Sequence, residues 1–329
     1  MIRLHANENP WGPSPSVAAG LVRASTSEYP DAGGLEGALA DTLGIPSDRI
    51  VLGNGSTELI GLLIQTLCAP HQAVATCEAG FVAYRQLARA AGRRLQLSRP
   101  RPGGGTDLDA LADVVDATTA LVFVANPDNP SGTLCSAAAL DRFLAALPSP
   151  GPLVVLDEAY REYVHHADYP TPTRYLGDPR VVVLRTFSKA HGLAGLRCGY
   201  LAASPTVAAR VQAVGGPYRV GCPTRAAALA ALADREHVQQ VVSRTTTERE
   251  RLHRALTGLG LRVVDSHASF LMVHLGLPAE PVAHRLAESG VFVRALGPYG
   301  WHDALRLTVG RPTDNDRALR AFEPLLEPT

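Results

Sequence analysis

Of the 31 basic residues in this chain, 30 are arginine and one is lysine, Lys189. A guanidinium stays protonated and is a poor nucleophile, so a reaction that needs a free amine cannot substitute arginine for lysine. Lys189 follows the β-rich run 181–184 in the context Arg185-Thr186-Phe187-Ser188-Lys189, with Arg197 further along. A lysine at a strand end can reach a cleft, where burial lowers its pKa toward reactivity. Thr186, Ser188 and Arg197 add hydroxyls and a bidentate fork, the donors a phosphate requires. A surface lysine among polar neighbours has the same local pattern, so three other segments carry weight. The run 153–156 ends in Asp157-Glu158-Ala159-Tyr160. A carboxylate at a buried strand end is costly unless it meets a cation or a protonated nitrogen, and Tyr160 can bring a phenol to the same ligand. An aspartate that merely caps the next turn is the alternative. The run 121–124 leads into Asn126-Pro127-Asp128-Asn129-Pro130-Ser131-Gly132, an irregular loop in which Asn129 can donate to a phenolate-like oxygen. The run 50–52 leads into Gly53-Asn54-Gly55-Ser56-Thr57-Glu58, at a helix N-terminus whose N–H groups can cradle phosphate.

These segments need a scaffold that brings strand ends together. The runs 50–52, 73–76, 121–124, 153–156 and 181–184 are apolar on both faces and bounded by Gly, Pro or Asp, which predicts buried strands of a largely parallel sheet. Helical patterns over 58–67, 84–91 and 137–146 alternate with them, the βαβ grammar of an α/β domain with helices on both faces. Residues 99–105 (Arg-Pro-Arg-Pro-Gly-Gly-Gly) read as a surface loop. After about residue 220 the pattern changes to a long helical region over 224–259, strands at 262–264, 270–273, near 291 and at 305–308, and further helices. The expected division is a large α/β domain over 31–220 and a small α+β domain over 221–329, which the segment 1–30 joins.

Composition narrows the function classes. At 46% hydrophobic and 19% charged over 329 residues, the chain can bury a sizeable core. Zero formal net charge gives no field for nucleic acid or an acidic membrane. No run of about eighteen apolar residues suggests a membrane span, and no apolar signal-peptide core follows Met1. The five cysteines form no C-x-x-C pair, which fits a reducing cytoplasm. His165-His166 is the one adjacent histidine pair and reads as part of a solvated loop, so no metal site is expected.

An amine, a carboxylate, a phenol, an amide and two phosphate-binding surfaces at four strand ends suit one cofactor, pyridoxal 5′-phosphate. The segments resemble the fold-type-I pyridoxal-phosphate aminotransferases over most of the chain. Leu4-His5-Ala6-Asn7-Glu8-Asn9-Pro10-Trp11-Gly12-Pro13, Glu28-Tyr29-Pro30-Asp31, residues 188–199 (SKAHGLAGLRCG) and 305–317 (LRLTVGRPTDNDR) resemble the histidinol-phosphate aminotransferase subgroup. The resemblance implies that Lys189 carries the cofactor and shuttles a proton, that Asp157 pairs with the ring N–H, and that Tyr160 and Asn129 bond the ring oxygen. It implies a phosphate site of Ser56, Thr57, Thr186, Ser188 and Arg197, and Phe81 stacked on the ring. It places Arg306, Arg317 and Asn9 at the substrate, and has Tyr29 reach the phosphate of a neighbouring subunit in a homodimer. An anionic site would then accept a carboxylate or a phosphate. The implied reaction is a ping-pong exchange of an amino group between histidinol phosphate, or a related amine, and 2-oxoglutarate.

Three rivals share parts of this pattern. A threonine-phosphate decarboxylase on the same scaffold fits Gly80-Phe81 equally well, but its family's His-Gly-Gly-Asn opening is absent. A nicotinamide dehydrogenase would use Gly53 to Glu58 as a dinucleotide turn with Glu78 near the ribose position, although Glu58 stands where the third glycine belongs. A regulator's effector domain would need an attached helix-turn-helix, for which there is no pattern. The chain also opens almost at the Asn-Glu-Asn-Pro motif, where the family usually has a further arm over the neighbouring subunit, and Ala79-Gly80 precede Phe81 where Pro-Thr is common. The first departure bears on dimer contacts and pocket closure, the second on the pocket wall.

Overall fold

The structure, a computed structural model, describes residues 1–31, 34–171 and 173–326. A short opening strand β1 (Ile2–Arg3) is followed by β2 (Ile50–Gly53), β3 (Ala73–Cys77), β4 (Arg94–Ser98), β5 (Thr119–Ala125), β6 (Leu153–Asp157), β7 (Val181–Thr186) and β8 (Gly199–Ala202). The later strands are β9 (Arg262–Val263), β10 (Phe270–His274), β11 (Val291–Phe292), β12 (Arg294–Ala295) and β13 (Ala304–Thr308). β2 to β8 form one seven-stranded sheet in the order β2-β8-β7-β6-β5-β3-β4. Only β8 runs against its neighbours there, antiparallel to both β7 and β2. The five apolar runs are five of these strands; β4 carries instead the polar–apolar alternation of a half-buried strand, which a search for apolar runs passes over, and β8 is short and starts on glycine.

Alternate residues of the central strands point to opposite faces, as the pleat requires. Val122, Val124, Leu156 and Val183 join one core cluster, while Leu121, Phe123, Val155 and Val182 join another. Helices cover both faces. Ser56–Leu67 and Val82–Ala90 pack on the second cluster, and Ala137–Ala146 packs on the first.

β12-β13-β10-β9 make a four-stranded antiparallel sheet, and β1 pairs with β11. The opening segment therefore reaches across to the C-terminal elements. Thr308 donates its N–H to the Leu4 carbonyl at 2.8 Å, which carries residues 5 to 8 past the end of β13.

The helical region after residue 220 is two helices, Cys222–Ala233 and Arg235–Gly258, because Asp234 accepts from the His237 N–H and caps the second. Ala227, Ala228 and Ala231 of the first belong to the core of the large sheet. The loop 99–105 is not wholly at the surface: Gly104 and Gly105 are buried, and Arg101 donates to the Leu134 carbonyl at 3.2 Å. It packs on the Asn126 to Gly132 loop, where buried Thr106 donates to Asp128 at 3.3 Å. Asp128 also accepts from the Ser131 hydroxyl at 2.7 Å, so the irregular loop that presents Asn129 is held from within and from outside.

Candidate active site

The carboxyl ends of β5, β6 and β7 open into a cavity of about 610 Å³, closed on the far side by the opening segment and by β12 and β13. Ser56, Thr57, Phe81, Asn129, Asp157, Tyr160, Thr186, Ser188, Lys189, Arg197 and Arg306 all line it. These eleven positions come from six stretches of sequence, five of them flanking strands of the large sheet and the sixth, Arg306, on β13 of the antiparallel sheet.

At one end the cavity is built for an anion. The helix Ser56–Leu67 aims its N-terminus there, and its first N–H groups have no partner within the helix. Gly55 enters the turn at φ +78°, and a Cβ there would strike the Arg197 guanidinium. At Gly199 a Cβ would lie 2.6 Å from the Ser56 nitrogen, so strand β8 can run beneath the turn only with glycine. Arg197 donates to the Ser188 hydroxyl at 3.4 Å, and the Thr186 hydroxyl donates to Ser188 at 3.0 Å. Glu58, where a dinucleotide turn would need glycine, instead accepts from the Asn54 N–H at 2.7 Å and secures the turn. Glu78 is exposed and outside the cavity, so the nicotinamide reading has no ribose partner.

At the other end stand the ionisable groups. Asp157 is 4% exposed; its oxygens accept from the Tyr84 hydroxyl at 2.7 Å and the Ala159 N–H at 3.1 Å. Burial raises its pKa to about 6, with the two hydrogen bonds opposing the shift. A cationic N–H in the cavity would complete this carboxylate. Lys189 Nζ donates to the Asn7 carbonyl at 3.1 Å and makes no salt bridge among the described residues. Burial first, then the Arg306 and Arg197 charges, lower its pKa to about 8. An ordinary lysine would be protonated throughout the neutral range; this one is neutral above about pH 8. The rate at which a carbonyl compound captures this amine should therefore rise with pH and level off above about 8. A profile still climbing at pH 10 would show an unshifted lysine.

Tyr160 is buried, and its oxygen accepts from Asn7 Nδ2 at 2.9 Å. Arg306 donates to Asn129 Oδ1 at 2.6 Å and to the His5 carbonyl at 2.9 Å, which leaves the Asn129 NH₂ to face a ligand. Phe81 lines the cavity with its ring edge-to-face on Tyr84, the centroids 5.5 Å apart. The arrangement can therefore hold a phosphate ester, a ring with one protonated nitrogen and one acceptor oxygen, and a carbonyl within reach of an amine.

A model of the family described as aminotransferase class I and II matches residues 1–322. The chain belongs to that family. Class I and II aminotransferases depend on pyridoxal 5′-phosphate, and the donor set just described fits that molecule group by group. A histidinol-phosphate aminotransferase of Nitrosococcus oceani is 39% identical over 99% of this chain and 89% of its own length. One from Anaeromyxobacter is 40% identical over 98% of this chain and 90% of its own length. The crystal structure of the Sinorhizobium meliloti histidinol-phosphate aminotransferase with pyridoxal 5′-phosphate superposes with a TM-score of 0.91 at 31% identity, covering 99% of this chain and 91% of that one. The fold is that of these aminotransferases, an α/β architecture with a mostly parallel seven-stranded sheet.

Three expected positions fall outside the aminotransferase cavity. Arg317 lies on the exposed side of the helix Pro312–Leu326 and donates to the Ser289 carbonyl at 3.2 Å, a helix-face charge outside the cavity lining. Asn9 is spent on the backbone: its amide donates to the Ala190 carbonyl at 3.0 Å, and its oxygen accepts from the Trp11 N–H at 2.9 Å. It buttresses the turn after Lys189 instead of facing a substrate. Tyr29 is 77% exposed and stacks on Tyr218, 4.4 Å between centroids, beside a separate depression.

Sequence reasoning passes over Asn7, Tyr84 and Arg294, all of which line the cavity. Tyr84 has a signal, standing one helical turn after Phe81. Asn7 stands two residues before Asn9 in the same motif. Arg294 has none, because only the β12–β13 register, which pairs it with Arg306, brings it there.

Proposed function

We propose that the chain transfers the amino group of histidinol phosphate, or an amine of the same shape and charge, to 2-oxoglutarate. The observation that carries the reading is the pairing of Arg294 with Arg306 across β12 and β13, in the same cavity as Asp157 and Lys189. Two guanidiniums on adjacent strands suit a phosphate, and one of them suffices for a carboxylate. Burial first, then the Arg294 charge, lowers the pKa of His5 in the same cavity. Relatives near 39% identity named histidinol-phosphate aminotransferase support the same substrate.

When bound, pyridoxal 5′-phosphate supplies an electron sink for the charge left at the donor's Cα. The chain does the rest. The Ser56 and Thr57 N–H groups, Thr186, Ser188 and Arg197 hold the phosphate. Phe81 packs on the ring. The Asp157 carboxylate keeps a proton at the ring nitrogen, and the Tyr160 hydroxyl and Asn129 amide donate to the ring oxygen. Lys189 carries the cofactor, and its freed amine takes the Cα proton of the donor, for which a pKa near 8 is well matched. Arg306 grips the anionic end of either substrate.

The reading includes a homodimer, in which Tyr29 reaches the partner's phosphate; its exposed ring, stacked on Tyr218, supports this. It also places the chain in the cytoplasm, supported by five unpaired cysteines. No helix among the described residues is long and apolar enough to cross a membrane.

Steady-state rates over a panel of amino donors with 2-oxoglutarate test the substrate. Histidinol phosphate should give the highest kcat/KM; a better donor without a phosphate would overturn the assignment. Arg294→Ala should raise KM for histidinol phosphate about tenfold, the worth of one charge-assisted hydrogen bond, and leave that for 2-oxoglutarate nearly unchanged. Equal effects on both substrates would contradict the division between the two arginines.

A further inference from the structure

Asn7 is 2% exposed and holds a left-handed backbone, φ 53°. That conformation is unfavourable for most residues and is tolerated best by glycine, asparagine and aspartate. Its bonds lead in three directions. The backbone N–H donates to the Thr308 hydroxyl at 3.0 Å, and the side-chain oxygen accepts from that hydroxyl at 3.1 Å. The backbone carbonyl accepts from Lys189 Nζ, and the side-chain Nδ2 donates to the Tyr160 oxygen at 2.9 Å. One residue of the opening segment thus ties β13 to two groups of the site.

The direction of the Tyr160 bond decides what the phenol can do. Thr308 has a single hydroxyl proton, and it goes to Asn7 Oδ1. With its oxygen on Thr308, Asn7 presents its NH₂ to Tyr160. Because the phenol oxygen accepts from Asn7, its own proton stays free for the cavity. We propose that Asn7 is a positioning residue that fixes Tyr160 as a hydrogen-bond donor to the ring oxygen of the cofactor. The inference rests on the role given to Tyr160 above. Thr308 orients Asn7, Asn7 orients Tyr160, and the chain of donors runs from β13 to the ligand. Asp157, Lys189 and Arg306 also bear on the phenol, but each acts as a charge and none sets the direction of its O–H.

Two substitutions separate this role from a structural one. Asn7→Asp keeps the size, the tolerance of a left-handed backbone and the acceptor for Thr308, but a carboxylate would take the Tyr160 proton for itself. Asn7→Gly keeps the backbone and removes the side chain, which leaves Tyr160 free to donate. Equilibrium titration of the apo-protein with pyridoxal 5′-phosphate reads the effect through cofactor affinity and the position of the visible absorbance band. Asn7→Asp should weaken affinity about tenfold or more and move the band, and Asn7→Gly should do less of both. In a Tyr160→Phe background Asn7→Asp should add little, because the group it acts on is gone. If Asn7→Gly is the more damaging of the two, or the Asn7→Asp loss persists in full without the phenol, the positioning role is wrong. If Tyr160→Phe alone changes neither affinity nor band, the role given to Tyr160 fails first, and the inference fails with it.

Discussion

Replacing Lys189 with alanine is expected to abolish the visible absorbance of the lysine-bound cofactor and to lower kcat by at least about 10⁴-fold, the usual reach of a positioned acid–base group. Two functions are lost together, since the amine both carries the cofactor and moves the donor's proton. Lys189→Arg should do no better, although it keeps the charge and most of the length, because a guanidinium remains protonated and forms no such bond. The fold should survive either change: Nζ makes one hydrogen bond, to the Asn7 carbonyl, and no salt bridge among the described residues. Absorbance, circular dichroism and steady-state rates on the same preparation check all three points. An arginine variant with the band of the parent chain would remove Lys189 from the mechanism.

The second large effect concerns Asp157. Its carboxyl titrates near 6 in the folded chain, against an ordinary value near 4, and burial is the main cause. A carboxyl whose folded pKa is raised costs stability wherever it is ionised. The penalty is absent below about pH 4, grows between 4 and 6, and is complete above 6, where it amounts to roughly 3 kcal/mol. Asp157→Asn removes the charge and retains the shape, so the apo variant should melt higher than the parent at pH 8 and equal it at pH 4. Activity should move the other way, falling about 10²- to 10³-fold, because an amide cannot hold a proton at the ring nitrogen. Stability gained where catalysis is lost is the signature of a buried charge kept for function. A variant that is less stable at pH 8 and still active would show that Asp157 only caps its turn. Adding the cofactor should narrow the stability gap, since a protonated ring nitrogen pairs the carboxylate only in the parent chain.

The legible parts of the site share a physical origin. Lys189, Asp157, Asn129 and Ser56 each follow closely on an apolar run, and a parallel sheet gathers strand ends whatever the order of its strands. Their chemistry can be read locally because the fold positions them generically. Contacts made across the chain leave no such trace. Tyr84 meets Asp157 across 73 residues, and Asn7 meets Tyr160 across 153. Arg317 escapes a correct placement for a related reason: an arginine near the start of a helix reads alike whether it faces a cleft or solvent, and only the packing of Pro312–Leu326 decides. The same holds within the Asn-Glu-Asn motif. Both asparagines suit a site by type, but the left-handed turn at Asn7 sends its side chain to Tyr160 while that of Asn9 meets the backbone at Ala190. In the sheet, β8 is illegible because four residues beginning with glycine carry no periodicity, although that glycine is what lets the phosphate turn sit against the strand.

Amino transfer from histidinol phosphate is tested most sharply by a single half-reaction. The cofactor-loaded protein is mixed with histidinol phosphate and no acceptor, and the visible band is followed together with the ketone formed; a parallel sample with phosphothreonine is assayed for released carbon dioxide. With histidinol phosphate the band of the lysine-bound cofactor should disappear, one equivalent of ketone should form per site, and 2-oxoglutarate should restore the band; phosphothreonine should release no carbon dioxide at a catalytic rate. A band unchanged by histidinol phosphate would contradict the substrate, and catalytic release of carbon dioxide from phosphothreonine would contradict the assignment of the reaction as amino transfer.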